Sequence, residues 1–238
     1  MNINDGRGAA ASSGVDASAS QAGAASRLVL VRRNLLRDND VRARALRERF
    51  HVARVRVISL VSSPGAGKTT LLQALLPSLQ QRGTVATLVG DLATENDARR
   101  LAAVGAPVRQ INTGTLCHLE ARMVEQALEG WDLNALDLLL IENVGNLVCP
   151  SGYDLGEDLR LVLASVTEGE DKPLKYPTIF NTADVAVITK LDLTEAAGCD
   201  LELLRRNIEA VRPGMQVCEV SARRHTGLQA LVRLMLGS

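Results

Sequence analysis

Residues 55–76 read VRVISLVSSPGAGKTTLLQALL: an apolar run, a short turn built on glycine, then a leucine-rich segment opening on Lys-Thr-Thr. Five apolar residues among the first seven predict a strand buried on both faces, and the leucines after Lys68 recur at helical spacing. Strand, glycine loop and helix in that order form a phosphate cradle. Pro64, Gly65, Ala66 and Gly67 make the turn, whose glycines let backbone N–H groups approach phosphate oxygens at a helix N-terminus. Lys68 is placed to reach the β- and γ-phosphates, and Thr69, followed by Thr70, to put a hydroxyl on Mg²⁺. Ser62 stands where the phosphate-loop pattern has its first glycine, so that position does not need a glycine-only conformation.

Outward from the loop, apolar strands alternate with helical patterns. Strands are predicted at 55–61, 85–89, 138–142, 161–166, 185–189 and 217–220, with helical stretches after Lys68, Thr94, Thr115, Asp200 and Thr226. This alternation predicts an α/β sandwich of three layers with a mostly parallel central sheet, whose ligands gather at the carboxyl ends of the strands. Two acids fall at such ends. Asp91 closes the second predicted strand and Glu142 the third, and either could hold a Mg²⁺-bound water or orient the attacking water. Glu142-x-x-Gly145 also has the spacing of the D-x-x-G element that senses a γ-phosphate, with Glu in place of Asp. Each acid alone also reads as an ordinary polar residue at a strand end.

The base reader is sought further along. TKLD at 189–192 matches N-K-x-D except at its first position. Asp192 would accept from the two guanine donors and Lys190 would lie along the base. Thr189 replaces the usual Asn, so the bonds that brace this loop need another source. Ser221 and Ala222 match the S-A element whose backbone N–H meets guanine O6. The ordered set predicts guanine selectivity.

Composition excludes several classes. Lys plus Arg and Asp plus Glu each total 27, and only 2% of residues are aromatic, which argues against nucleic acid and membrane surfaces as partners. No apolar run reaches membrane-spanning length and no signal pattern is present, so a cytoplasmic protein is expected. Residues 1–26 are mostly Ala, Gly, Ser and Asp and read as a disordered tail without His or Cys. Residues 27–52 read as a basic amphipathic helix anchored by Leu35, Val41, Leu46 and Phe50, packed on the domain edge in preference to docking a partner. The nucleotide domain is expected over 53–238.

The four cysteines are expected to be reduced. Cys218 reads as a small buried hydrophobe and Cys199 has no companion. Cys117 and His118 are adjacent, and Cys149 follows the Glu142 strand. Two thiolates and one imidazole are too few for a closed tetrahedral site in one chain, but suffice if a dimer brings two sets together or exchangeable ligands complete the shell. On spacing alone, the plainer reading of Cys117–His118, a helix start with a buried thiol and a surface imidazole, is preferred.

Taken together, LVSSPGAGKTTLL, GDLATENDA, INTGTLCHLEA, LLLIENVGNLVCP and SVTEGEDKPLKYP resemble the nickel-incorporation GTPase of [NiFe]-hydrogenase maturation, over about residues 35 to 236. The resemblance implies a P-loop NTPase fold of the SIMIBI type. It also implies GTP-dependent homodimerisation and nickel delivery to the hydrogenase large subunit, with a small zinc-containing nickel-binding accessory protein as partner. It marks Cys117, His118 and Cys149 as nickel or zinc ligands at the subunit interface, overturning the plainer reading, and it matches Gly67, Lys68, Thr69, Lys190 and Asp192 to nucleotide positions. The C-P-H motif of the urease relative is absent, as are the N-terminal cysteine motif and the histidine-rich stretch of some members. Competing functions are a metal-binding adaptor in which nucleotide only holds the dimer, a urease-type nickel GTPase, and a small-molecule kinase, the last disfavoured for want of an acceptor lid.

Overall fold

The computed structural model describes the backbone of residues 14–91 and 96–237, with side chains from residue 33 onward. The chain divides into two compact units, Met1–Asp38 and Asn39–Ser238. Helix α1 covers Gly14–Ala53 and so begins inside the stretch read as a disordered tail, of which residues 1–13 lie outside the described residues. Ala17, Ala19, Ala22, Ala24 and Ala25 supply the strongest intrinsic helix propensity there.

Among the described residues, seven strands form one sheet: β1 Arg56–Ser62, β2 Val85–Asp91, β3 Val108–Asn112, β4 Leu138–Glu142, β5 Leu159–Ser165, β6 Val185–Thr189 and β7 Gln216–Glu219. Their order is β3-β2-β4-β1-β5-β6-β7, and every pairing is parallel. The helices are α2 Lys68–Gln80, α3 Asn96–Ala102, α4 Ala121–Ala127, α5 Lys172–Lys175, α6 Pro177–Thr182, α7 Thr194–Ala197, α8 Leu201–Val211 and α9 Leu228–Leu236. Strand β3 was not expected from the sequence. Its VRQIN carries Arg109 and Gln110 between the apolar residues, and as an edge strand it is only partly buried.

The period of two in the strands sorts the core. Ile58, Leu60, Leu138, Leu140, Leu161 and Leu163 cluster with Leu72, Leu75 and Leu79 of α2 and Leu231 of α9. The residues between them face the opposite way: Val57, Leu88, Leu139 and Ile141 cluster with Ala43, Leu46 and Phe50 of α1, while Val162, Ala186 and Ile188 cluster with Phe180, Leu204 and Ile208. Both faces are therefore covered, as an all-parallel sheet requires. Leu46 and Phe50 are buried as expected, but Leu35 and Val41 are exposed at 55% and 60%. The anchoring positions are Ala43, Leu46 and Phe50, so the last turns of α1 belong to the core of the second unit and not to its edge. Gly156 has φ +82° where the loop after β4 passes α1, and a Cβ there would sit 2.9 Å from the Ala43 carbonyl oxygen.

Candidate functional site

The carboxyl ends of β1, β2 and β4 converge on the phosphate loop. Gly65 and Gly67 have φ of +74° and +99°, left-handed values that side chains disfavour. The lysine that starts α2 folds back over the loop, and Lys68 Nζ lies 2.9 Å from Ser62 Oγ. Ser62 Oγ itself donates to the Ser63 carbonyl at 2.7 Å. The hydroxyl in place of the first glycine thus braces the loop and holds the ammonium. Burial pushes the Lys68 pKa down, and Glu142 opposes that shift.

Thr69 Oγ1 donates to Glu142 Oε1 at 2.7 Å. Glu142 is 3% exposed, and its second oxygen, Oε2, is buried without a hydrogen-bond partner. Burial pushes its carboxyl up to about 7, against the Thr69 bond and the Lys68 charge. A hydroxyl and an orphaned carboxylate oxygen side by side fit a hard, oxygen-seeking cation such as Mg²⁺. Glu142, Asp91 and Lys68 share a cleft of about 400 Å³, which Gly145 also lines. Gly145 presses on the loop, where a Cβ would come within 2.9 Å of Pro64 Cα. Arg100 of α3 faces the same cleft and bonds Thr70 Oγ1 at 3.0 Å and Gln73 at 2.8 Å. No local pattern distinguishes Arg100, because it lies in a short polar helix.

A second cavity of about 190 Å³ adjoins the loop and is lined by Ala66, Gly67, Thr70, Thr189, Lys190, Asp192, Ala222 and Arg223. Asp192 is held by Ser221 Oγ at 2.5 Å, and this hydrogen bond, foremost, keeps its carboxyl below the usual range. Ser221 N–H donates to the Thr226 carbonyl at 3.1 Å, so Ala222 is the member of the pair that lines the cavity. Thr189 Oγ1 donates to the Ala66 carbonyl at 2.8 Å, which is the brace the missing asparagine left open.

Cys117 and His118 lie in the loop between β3 and α4, not at a helix start: α4 begins only at Ala121. Cys149 opens a 3-10 turn, Cys149–Gly152, after β4. Because β2 lies between β3 and β4, the two loops meet over its carboxyl end. There the structure joins Cys117 and Cys149 as a disulfide with Cα atoms 6.3 Å apart. This corrects the expectation that all four cysteines are free; Cys199 and Cys218 remain so. The sulfurs and a His118 nitrogen lie within 4.8 Å of one another, so the same three groups, once reduced, form a soft-metal donor set. His118 turns Nδ1 towards Cys117 Sγ at 3.9 Å and Nε2 towards Glu120 Oε1 at 3.7 Å, and its ring lies on Tyr153 at 3.9 Å. Burial lowers the His118 pKa, favouring the neutral imidazole that ligates metals. No helix among the described residues is long and apolar enough to cross a membrane.

Comparison with known proteins gives this arrangement its context. Residues 56–219 match the family described as CobW/HypB/UreG, nucleotide-binding domain. The hydrogenase maturation factor HypB of Azotobacter chroococcum is 46% identical over 205 residues, covering 85% of this chain and 67% of that protein. The hydrogenase/urease maturation factor HypB of Helicobacter pylori is 40% identical over 207 residues, covering 85% and 84%. Among solved structures, HypB from Helicobacter pylori in complex with nickel superposes with a TM-score of 0.79 at 38% identity, covering 84% of this chain and 94% of that one. The LAO/AO transport system kinase, at 18% identity and a TM-score of 0.57 over 77% of this chain and 59% of that one, shares the fold. With a P-loop nucleotide fold and these relatives, the chain belongs to the CobW/HypB/UreG nucleotide-binding family and, within it, to the HypB hydrogenase maturation factors.

Proposed function

We propose that this protein is a GTP-hydrolysing metallochaperone that assists nickel delivery into [NiFe]-hydrogenase, with the nucleotide state setting the affinity of the metal site. One observation carries the reading: Cys149 leaves the same strand end as Glu142, seven residues on, and meets Cys117 and His118 within ligand distance. In this scheme Lys68 and the loop N–H groups bind the β- and γ-phosphates. Thr69 and Glu142 would hold Mg²⁺, with Asp91 reaching it through water; when bound, the ion neutralises charge on the phosphates. Asp192, Lys190 and Ala222 read guanine. Departure of the γ-phosphate releases Glu142–Gly145, and Cys149 shifts relative to Cys117 and His118.

Two thiolates and one imidazole are an incomplete shell, which favours a homodimer stabilised by GTP and Mg²⁺ through the ends of β2 and β4 and the Thr167–Pro173 segment. The hydrogenase large subunit and a small zinc-containing nickel-binding protein are the proposed partners, and zinc the alternative occupant of the site. Relatives described as hydrogenase/urease maturation factors favour a second reading in which urease also receives the nickel.

The test is a nickel titration of reduced protein with GDP and with a non-hydrolysable GTP analogue, alongside light scattering in both states. Dissociation constants differing by roughly ten- to a hundredfold are expected, with the larger mass in the analogue state. Equal constants would leave the metal site as a dimer staple and reject the coupling.

A further inference from the structure

The metal loop is fastened to the phosphate cleft at a residue that neither cysteine marks. Leu119, directly after His118, is fully buried. Its N–H donates to Asn143 Oδ1 at 3.0 Å, and the same oxygen accepts from Val144 N–H at 2.9 Å. Asn143 is 2% exposed. It follows Glu142, the candidate cation ligand, and lines the same cleft as Lys68 and Thr69. On its other side, the Leu119 side chain lies on Gly90, the residue before Asp91: a Cβ at Gly90 would stand 2.7 Å from Leu119 Cγ. One residue bonded to His118 is thus seated between the neighbours of both candidate cation carboxylates.

We propose that Asn143 is the positioning residue that transmits nucleotide state to the Cys117–His118 arm of the metal site, with the Leu119–Gly90 contact as its second bearing. The Cys149 arm needs no such device, since it continues from β4 through the covalent chain. The Cys117–His118 arm leaves β3, which does not border β4 in the sheet. A buried N–H does not give up its acceptor without the full desolvation penalty, so Leu119 follows Asn143 when the strand end moves. Gly90 has no side chain to hold Leu119 off, so the same residue also registers a shift of the Asp91 end. Both arms then respond to one event, although they belong to different loops.

This inference rests on the coupling of nickel affinity to nucleotide proposed above, and the experiment separates the two. Nickel affinity of the reduced full-length protein is measured with GDP and with the non-hydrolysable GTP analogue for wild type, Asn143→Ala, Asn143→Asp and Gly90→Ala. The expected result is a ten- to hundredfold ratio between states in wild type, largely retained in Asn143→Asp, which keeps an acceptor oxygen, and close to one in Asn143→Ala. Gly90→Ala, whose methyl displaces Leu119 without removing a hydrogen bond, should also lower the ratio, and it decides the matter if Asn143→Ala does not fold. A ratio unchanged from wild type in folded Asn143→Ala, or in Gly90→Ala if that variant alone folds, overturns the transmission role. A wild-type ratio of one overturns the coupling itself, and this inference with it.

Discussion

Thr189 donates its hydroxyl to the Ala66 carbonyl across 2.8 Å, joining the base-reading loop to the phosphate loop through a single buried side chain. Removing the hydroxyl while keeping the shape, as in Thr189→Val, leaves that carbonyl without its partner in a site where Thr189 is 4% exposed. The expected cost is about 1 to 3 kcal/mol of stability, read by denaturant melts. GDP affinity should fall with it, because Ala66 and Asp192 line one cavity. Unchanged melting and unchanged GDP binding would make the bond incidental.

Asp192→Asn exchanges one acceptor for a donor, which guanine N1–H and N2–H cannot satisfy. Competition between guanine and xanthine nucleotides should shift towards xanthine, with overall folding preserved, since Asp192 is held chiefly by the Ser221 hydroxyl. Persistence of the guanine preference would remove Asp192 as the base reader.

The carboxyl of Glu142, pushed up to about 7 from an ordinary 4.5 by burial, makes the nucleotide-free protein sensitive to pH. Its folded pKa lies above its unfolded one, so the native state binds the extra proton between those two values. Stability therefore falls as pH rises from about 4.5 through 7, by a total of about 3 kcal/mol. Glu142→Gln should abolish that loss, melting higher than wild type above pH 7 and near it below pH 5. The same variant should weaken Mg²⁺-dependent nucleotide binding, which in wild type strengthens over the pH range where Glu142 ionises. Parallel pH profiles for the two proteins would refute the assignment.

Metal uptake is expected to depend on the state of the Cys117–Cys149 pair. Oxidised protein should present two reactive thiols, Cys199 and Cys218, and reduced protein all four. Nickel should bind only the reduced form, because thiolate sulfurs are the ligands. Cys149→Ala should weaken nickel binding relative to reduced wild type while sparing nucleotide affinity. Equal nickel binding before and after reduction would place the ion elsewhere.

Behind the metal loop lies a buried ion pair. Glu157 Oε1 accepts from Arg160 Nε at 2.7 Å and from Ser59 Oγ at 2.9 Å, and its Oε2 takes the Leu155 N–H at 2.7 Å. Glu157→Ala leaves the Arg160 guanidinium buried and unpaired and should cost about 3 to 5 kcal/mol. Replacing both residues by Met should cost less than the single change, since no isolated charge remains. A smaller loss for the single variant would mean that water reaches Arg160.

Much of this protein follows from local sequence. The run at 55–76 fixes β1, the loop and α2, because a doubly buried strand, two left-handed glycines and a leucine stripe each have one compatible backbone. Strands β4 and β6 were legible for the same reason, being unbroken apolar runs. Other features depended on residues far apart in the chain. Edge strand β3 carries polar residues that only its place in the sheet explains. The use of Thr189 for a missing asparagine rests on a bond spanning 123 residues. Pairing of Cys117 with Cys149 follows from strand order, which sets β2 between their loops, and strand order leaves no local pattern. The raised carboxyl of Glu142 is decided by burial, a property of the assembled sheet and helices that the residue's own neighbours in sequence do not specify.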